Sequence, residues 1–253
     1  MREPYNIRSF FRQDGLLQNL AALGECIGGF EKVLIVGGAL RELTLAELCC
    51  VKPEIPDIDV AVLIDFDLQD VIHRLGSPEC ELNSFGGIKW RAKGSLPLDI
   101  WSVRAWAERI GKSSRSKYEL EEVKGFLDFN LNAGVYAPYR DELDVLDIRN
   151  AVVHRIFELH NSLVPPDSVQ LARVVKLERR VENLGFCFGP ELRRYVMSVI
   201  GNLDSAGFIE AKKYFERKAG PNFDGTPGKY FEQRIARLES EEMPFVRRPR
   251  SRA

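Results

Sequence analysis

The chain predicts an α/β (α+β) protein, a mixed sheet with flanking helices followed by a small all-helical domain. Three observations predict it. Short β-branched apolar runs, bounded by turn residues or charge, alternate with helical patterns as far as Pro138. The Gly37-Gly38 pair ends one of these runs at a strand-to-helix turn. Beyond Pro165-Pro166, a strong breaker, the periodicity becomes helical.

Residues 1–29 form an N-terminal helical lead-in, with apolar residues at helical spacing over Leu16 to Cys26. Within the first domain, 30–138, Val33 to Val36 and Asp57 to Ile64 read as buried strands, and Leu68 to Leu75 as the helix after them. Ile88 to Ala92 and Leu96 to Val103 read as two further strands around a Lys-Gly-Ser turn. Residues 139–166 connect. In the helical domain, 167–245, Asp167 or Ser168 caps a helix reaching about Asn183, which Gly185 stops. Leu192 to Ile200, Ile209 to Lys218 and Lys229 to Ser240 are the remaining expected helices, and 246–253 is a basic, solvated, disordered tail.

The chemistry is concentrated around the glycines. Side chains alternate along a strand, so Asp57 and Asp59 share one side while Ile58 and Val60 face the core. Paired carboxylates repel unless a cation lies between them, and oxygen-only ligands suit Mg²⁺ shared with substrate phosphates. Gly37 and Gly38, lacking Cβ atoms, let backbone N–H groups approach a phosphate chain at the head of a helix. Asp99 stands between Leu98 and Ile100, where a buried strand normally carries an apolar residue. Its two readings are a metal ligand and an ion pair with Arg91 or Lys93 across the hairpin. A phosphate cradle beside a carboxylate metal site outlines a phosphoryl or nucleotidyl transferase.

These residues resemble the class II tRNA nucleotidyltransferases, that is, CCA-adding enzymes and bacterial poly(A) polymerases. VGGALRE is similar to the family's G-G-x-x-R-D, with Gly37, Gly38 and Arg41 matching and Glu42 in place of the aspartate. DIDVAV resembles its D-x-D after a longer spacer, and GSLPLDIWSVR resembles the strand of the third carboxylate through Asp99 and Arg104. Asp128, Phe129, Asn132 and Ala133 match R-R-D-F-T-I-N-A, with Phe126 and Leu127 in place of the double arginine. LDIRNAVVHRI resembles the D-L element after it. Counted back from Leu184-Gly185-Phe186, the nucleotide-selecting E-D-x-x-R falls on Val169 to Arg173, and only Arg173 matches.

The resemblance implies a nucleotidyltransferase-fold head over 30–138 and a neck-like domain over 167–245, with the nucleotide between them. It implies an NTP as substrate and two Mg²⁺ ions as cofactor, held by Asp57, Asp59 and Asp99 as catalytic and metal-binding residues. Nucleotide-binding residues would be Gly37, Gly38, Arg41, Asp128, Asn132 and Arg173, and the acceptor an RNA 3′ end. The altered specificity parts, and a chain shorter than the family's, point to a relative with another acceptor. Two other readings are a non-catalytic nucleotide- or RNA-binding module, and an enzyme that nucleotidylates a protein or small molecule.

Composition sets bounds on these readings. The 253 residues are 45% hydrophobic and 29% charged with net charge −1, a balance that argues against a dedicated, strongly basic nucleic-acid binder and leaves room for local basic patches. Cys26, Cys49, Cys50, Cys80 and Cys187 have no zinc spacing, and their odd number reads as reduced thiols of a cytoplasmic protein. His73, His154 and His160 share no ligand spacing, and no run is long enough for a membrane span. Arg173, Lys176, Arg179 and Arg180 gather on one helix side, read as a charged face with a substrate role for Arg173 alone. Trp90, Trp101 and Trp106 read as packing residues.

Overall fold

A seven-stranded mixed sheet organises the molecule, in the order β3-β4-β5-β2-β1-β6-β7. The computed structural model describes residues 6–83, 86–112, 115, 118–163, 167–202, 204, 206, 207, 209, 210 and 213. Its elements are α1 (Ile7–Phe11), α2 (Asp14–Cys26), β1 (Val33–Val36), α3 (Gly38–Cys49), β2 (Ile58–Val62) and α4 (Leu68–Leu75). Then come β3 (Cys80–Leu82), β4 (Ile88–Trp90), β5 (Leu98–Ser102), α5 (Val103–Arg109), α6 (Leu120–Lys124), β6 (Val135–Ala137) and β7 (Glu142–Asp144). Last are α7 (Leu146–His154), β8 (Ile156–Phe157), α8 (Ser168–Val181), β9 (Cys187–Phe188) and α9 (Pro190–Asn202). Met1–Pro165 with Leu184–Gly189 make one compact unit, and Pro166–Asn183 with Pro190–Ala253 a second.

In the first unit β2 and β5 run parallel, while every other pairing of the large sheet is antiparallel. All four residues of β1 are buried, so both faces of the sheet are covered there. Leu34 and Val36 join Ala61, Val103, Ala107, Tyr118, Val123 and Phe126 in one core cluster, with Trp101 and Trp106 packed against it. On the other face Ile35 is paired with Tyr136, whose ring stacks on Phe11 of α1 at 5.4 Å. Leu20 and Leu23 of α2 are completely buried, so the amphipathic stripe expected there is a core-packing face.

The expected strands and helices appear with small shifts at their ends. β2 is shorter than the apolar run, which leaves Asp57 one residue before it. The β4–β5 hairpin closes at Trp90 opposite Leu98, a wider loop than the Lys-Gly-Ser turn implies. Among the described residues six strands have two or three residues; β4 is marked by the longer run Ile88 to Ala92, whereas β3, β6, β7, β8 and β9 carry too few residues for periodicity to show. The connecting stretch 139–166 contains β7, α7 and β8.

Helix α8 is capped by Asp167, whose carboxylate accepts the Gln170 N–H at 2.8 Å, and α9 spans the expected Leu192–Ile200 segment. Both helices belong to the second unit. Most of the helix expected at Ile209–Lys218, the one at Lys229–Ser240 and the tail 246–253 lie outside the described residues. Among the described residues no helix is long and apolar enough to cross a membrane. All five cysteines carry free thiols.

Candidate active site

The acidic residues meet because of register. Residues directly opposite on neighbouring strands project to the same face, and Val36, Asp59, Asp99 and Lys89 lie opposite one another across β1, β2, β5 and β4. One row therefore carries two carboxylates side by side with an ammonium beyond them. Asp57 extends the row from just before β2, and its Oδ2 accepts a hydrogen bond from Lys89 Nζ at 2.8 Å. Asp99 Oδ1 accepts from Asn83 Nδ2, and Asn83 in turn is fixed by the Gly87 N–H on its Oδ1. Of the sequence-suggested partners of Asp99, Arg91 pairs with Glu81 at 3.1 Å.

The glycine turn joins this row at β1. Gly37 has φ 71° and ψ −129°, a conformation that L side chains rarely adopt. A Cβ there would lie 3.0 Å from Asp59 Oδ2, so the turn and the carboxylate are packed together. The Gly38 N–H donates to Asp59 Oδ2 at 3.3 Å, which aims this carboxylate at the head of α3. The backbone amide of the turn thus already serves an anion.

Arg41, one turn into α3, is held by a buried network. Its Nη1 donates to Asn132 Oδ1 at 2.6 Å and its Nε to Glu42 Oε1 at 3.1 Å. Asn132 Nδ2 donates to Asp128 Oδ1 at 3.0 Å, which also accepts the Phe129 N–H. Arg41, Asp128 and Asn132 are each at most 9% exposed, so the guanidinium is positioned by desolvated partners. An alanine Cβ at Gly38 would lie 3.6 Å from both Arg41 Nη2 and Asp59 Oδ2, so guanidinium and carboxylate flank the glycine. Gly37, Gly38, Arg41, Asp59, Asp128 and Asn132 form one connected set, joined by register to Asp99 and by spacing to Asp57. Arg173 belongs to the second unit, half-buried on α8, where Lys176 and Arg179 are exposed and Arg180 half-buried.

Three features escaped sequence reasoning. Lys89 is the nearest, although counting back from a turn at Lys93-Gly94-Ser95 already places it opposite Asp99. Burial by itself lowers the Lys89 pKa, but the Asp57 hydrogen bond and charge, with the Asp99 charge, outweigh it and raise it above its ordinary value. Glu42 is the second. Its Oε2 accepts the Glu54 N–H at 3.1 Å, tying the long spacer before Asp57 back to α3. The third is the role of Phe126 and Leu127, which are core residues: Phe126 meets Tyr118 edge-on at 5.5 Å and carries Lys112 Nζ over its ring at 4.6 Å. Trp106 donates to the Phe126 carbonyl at 2.9 Å, in keeping with a packing role.

Among the described residues no group of three His, Cys, Asp or Glu side chains makes a metal cage. Mg²⁺ needs less, being held usually by one or two carboxylates with substrate phosphates and water. The donor chemistry fits it: Asp59 and Asp99 are hard oxygen ligands in register, and on Asp57 the Lys89 ammonium stands in as a cation.

No protein-family model and no curated protein matches the sequence. Solved structures do match. A CCA-adding enzyme in complex with CTP aligns over 92% of this chain and 52% of its own, at TM-score 0.59 and 14% identity. The Thermotoga maritima CCA-adding enzyme complexed with tRNA aligns over 94% and 54%, at TM-score 0.58 and 15% identity. The Bacillus stearothermophilus CCA-adding enzyme in complex with CTP aligns over 90% and 52%, at TM-score 0.55 and 20% identity. The likeness is one of fold: the seven-stranded mixed sheet with its helices is the nucleotidyltransferase fold of these enzymes. This chain spans about half of their length.

Proposed function

We propose that the protein is a Mg²⁺-dependent nucleotidyltransferase that moves an NMP from an NTP to an acceptor hydroxyl, the acceptor being an RNA 3′ end. The observation that carries this reading is the Gly38 N–H bonded to Asp59, with Asp59 in register with Asp99. It sets a glycine turn at the head of a helix against a pair of carboxylates on a rigid sheet. The structural neighbours solved with CTP, ATP and tRNA support the same substrate classes.

Gly37, Gly38 and Arg41 would hold the triphosphate, with Arg41 kept in place by Asn132 and Glu42. Asp128 fixes Asn132 and so acts on the phosphates through Arg41. Asp57, Asp59 and Asp99 would hold the Mg²⁺ ions. When bound, Mg²⁺ lowers the pKa of the acceptor hydroxyl and neutralises charge on the departing pyrophosphate. The acceptor oxygen forms its bond to the α-phosphorus as the bond to pyrophosphate breaks, in line. Arg173 would contact the base, a role that rests on its motif position alone.

A non-catalytic nucleotide-binding module is the second reading, favoured by the Asp57–Lys89 ion pair, which engages one of the proposed ligands. One experiment separates them. The purified protein is incubated with Mg²⁺ and each α-labelled NTP, together with cellular RNA and protein. Label on a discrete RNA is the expected result. Label on protein would move the acceptor class, and NTP binding with no label in any mixture would favour the binding module.

A further inference from the structure

The proposed metal site carries its own cation. Lys89 reaches it from β4, on the hairpin strand paired with β5, and its ammonium lies 2.8 Å from Asp57 Oδ2. The two side chains are 26% and 25% exposed, so the pair is partly shielded from water and weakly screened by salt. Arg41, the cation on the other side of Asp59, is bonded to Asn132 and Glu42. Lys89 is thus the ammonium that faces Asp57 and stands opposite Asp99. The same hairpin supplies Asn83 to Asp99, so its residues engage two of the acids at once.

Like charges opposite each other on neighbouring strands destabilise a sheet. Asp59 and Asp99 are such a pair, and Asp57 adds a further charge. A lysine offers a point charge on a flexible stem, able to withdraw without moving the backbone. A divalent ion brings twice the charge to the same oxygens, and both cations cannot occupy one lone pair of Asp57. We propose that Lys89 is the built-in counter-ion of this acidic row, holding Asp57 in the metal-free protein and competing with divalent cations for it. The inference rests on the reading of Asp57, Asp59 and Asp99 as metal ligands. Its consequence is that metal affinity is set by a residue outside the ligand set: the observed Kd is the intrinsic one divided by the fraction of molecules in which Lys89 has released Asp57.

The test is Mn²⁺ binding to the full chain, read by the EPR signal of free Mn²⁺, for the wild type, Lys89→Met, Lys89→Gln and Lys89→Arg. Melting temperatures are taken with and without the metal. The neutral variants should bind Mn²⁺ about tenfold more tightly, the equivalent of one ion pair released. Without metal they should melt about 2–4 °C lower, a loss that Mn²⁺ restores. Lys89→Arg should stay near the wild type. A merely structural lysine would leave the affinity unchanged or weaken it on removal. If the wild type binds Mn²⁺ and both neutral variants bind no more tightly, the counter-ion role is wrong while the metal site stands. If no form binds Mn²⁺, the metal site itself fails and this inference with it.

Discussion

Two lysines of the first unit each face carboxylates, and they do different things. Lys124 of α6 bonds Asp144 at 2.6 Å and Asp147 at 2.7 Å, tying three neighbouring segments together. It is one ammonium for two acids, with both contacts made. Lys89 faces a row of acids and bonds Asp57, beside a glycine turn whose N–H is bonded to Asp59. The first cluster is closed on itself, its ammonium bonded to both acids. The second gathers three carboxylates next to a backbone amide and a buried guanidinium. A lysine–carboxylate contact alone is therefore no sign of a site. Several carboxylates in one row beside a glycine turn and a guanidinium are a stronger one.

The largest effect that would break this contrast is loss of transfer. Asp59→Asn should reduce NMP transfer by more than about a thousandfold, as loss of a group that stabilises developing charge does. Its fold should be kept, with circular dichroism unchanged. An active Asp59→Asn protein would reduce the acid row to a second structural cluster. Asn132→Ala comes next. It leaves Arg41 Nη1 without its 2.6 Å acceptor, so KM for NTP should rise about tenfold, with a stability cost of about 1–3 kcal/mol seen in urea melts. A rise in KM with an unchanged kcat would place Arg41 on the bound triphosphate.

Gly37→Ala should cost about 1–3 kcal/mol, because φ 71° strains any L residue and the new methyl presses on Asp59. Its activity should fall further than its stability, since the displaced group is a proposed ligand. Lys124→Met sharpens the comparison from the other side, with about 1–2 kcal/mol lost and transfer per folded molecule unchanged.

The closed cluster also has a pH signature of its own. Burial tends to raise the Asp144 pKa, but the Lys124 hydrogen bond, the Leu146 N–H and the Lys124 charge outweigh it and hold it below the usual carboxylate range. A carboxylate depressed on folding contributes stability that is fully present above its unfolded pKa and lost as pH falls through the folded one. Acid unfolding of the wild type should therefore gain slope below about pH 4, and Lys124→Met should remove that part.

Much of the fold was legible where the signal is local. Val33–Val36 and Leu68–Leu75 appear at the positions that their apolar patterns mark, and Asp167 caps α8 as its side chain allows. Apart from β4, strands of two or three residues were not legible, because hydrophobic alternation needs more positions to stand out. Half of the candidate site was legible too. Gly37 and Gly38 announce a turn, and the spacing of Asp57 and Asp59 places them together.

The residue opposite Asp99 was within reach of the sequence and was missed. A three-residue turn at Lys93-Gly94-Ser95 sets Ala92 opposite Leu96 and, three residues further along each strand, Lys89 opposite Asp99, the register that the sheet adopts. What the count along the hairpin does not give is the Lys89 bond to Asp57, which crosses from β4 past β5 to the start of β2.

By itself the sequence determined the elements and the residue types, since helix caps, strand runs and glycine turns depend on neighbours along the chain. Only the tertiary structure decided which charges meet. Asp59 gains Asp99 through a parallel pairing of β2 with β5, and Arg41 gains an acceptor 91 residues away. Such contacts follow from sheet register and from packing over the whole core, which sum many weak, distant interactions that no local pattern encodes.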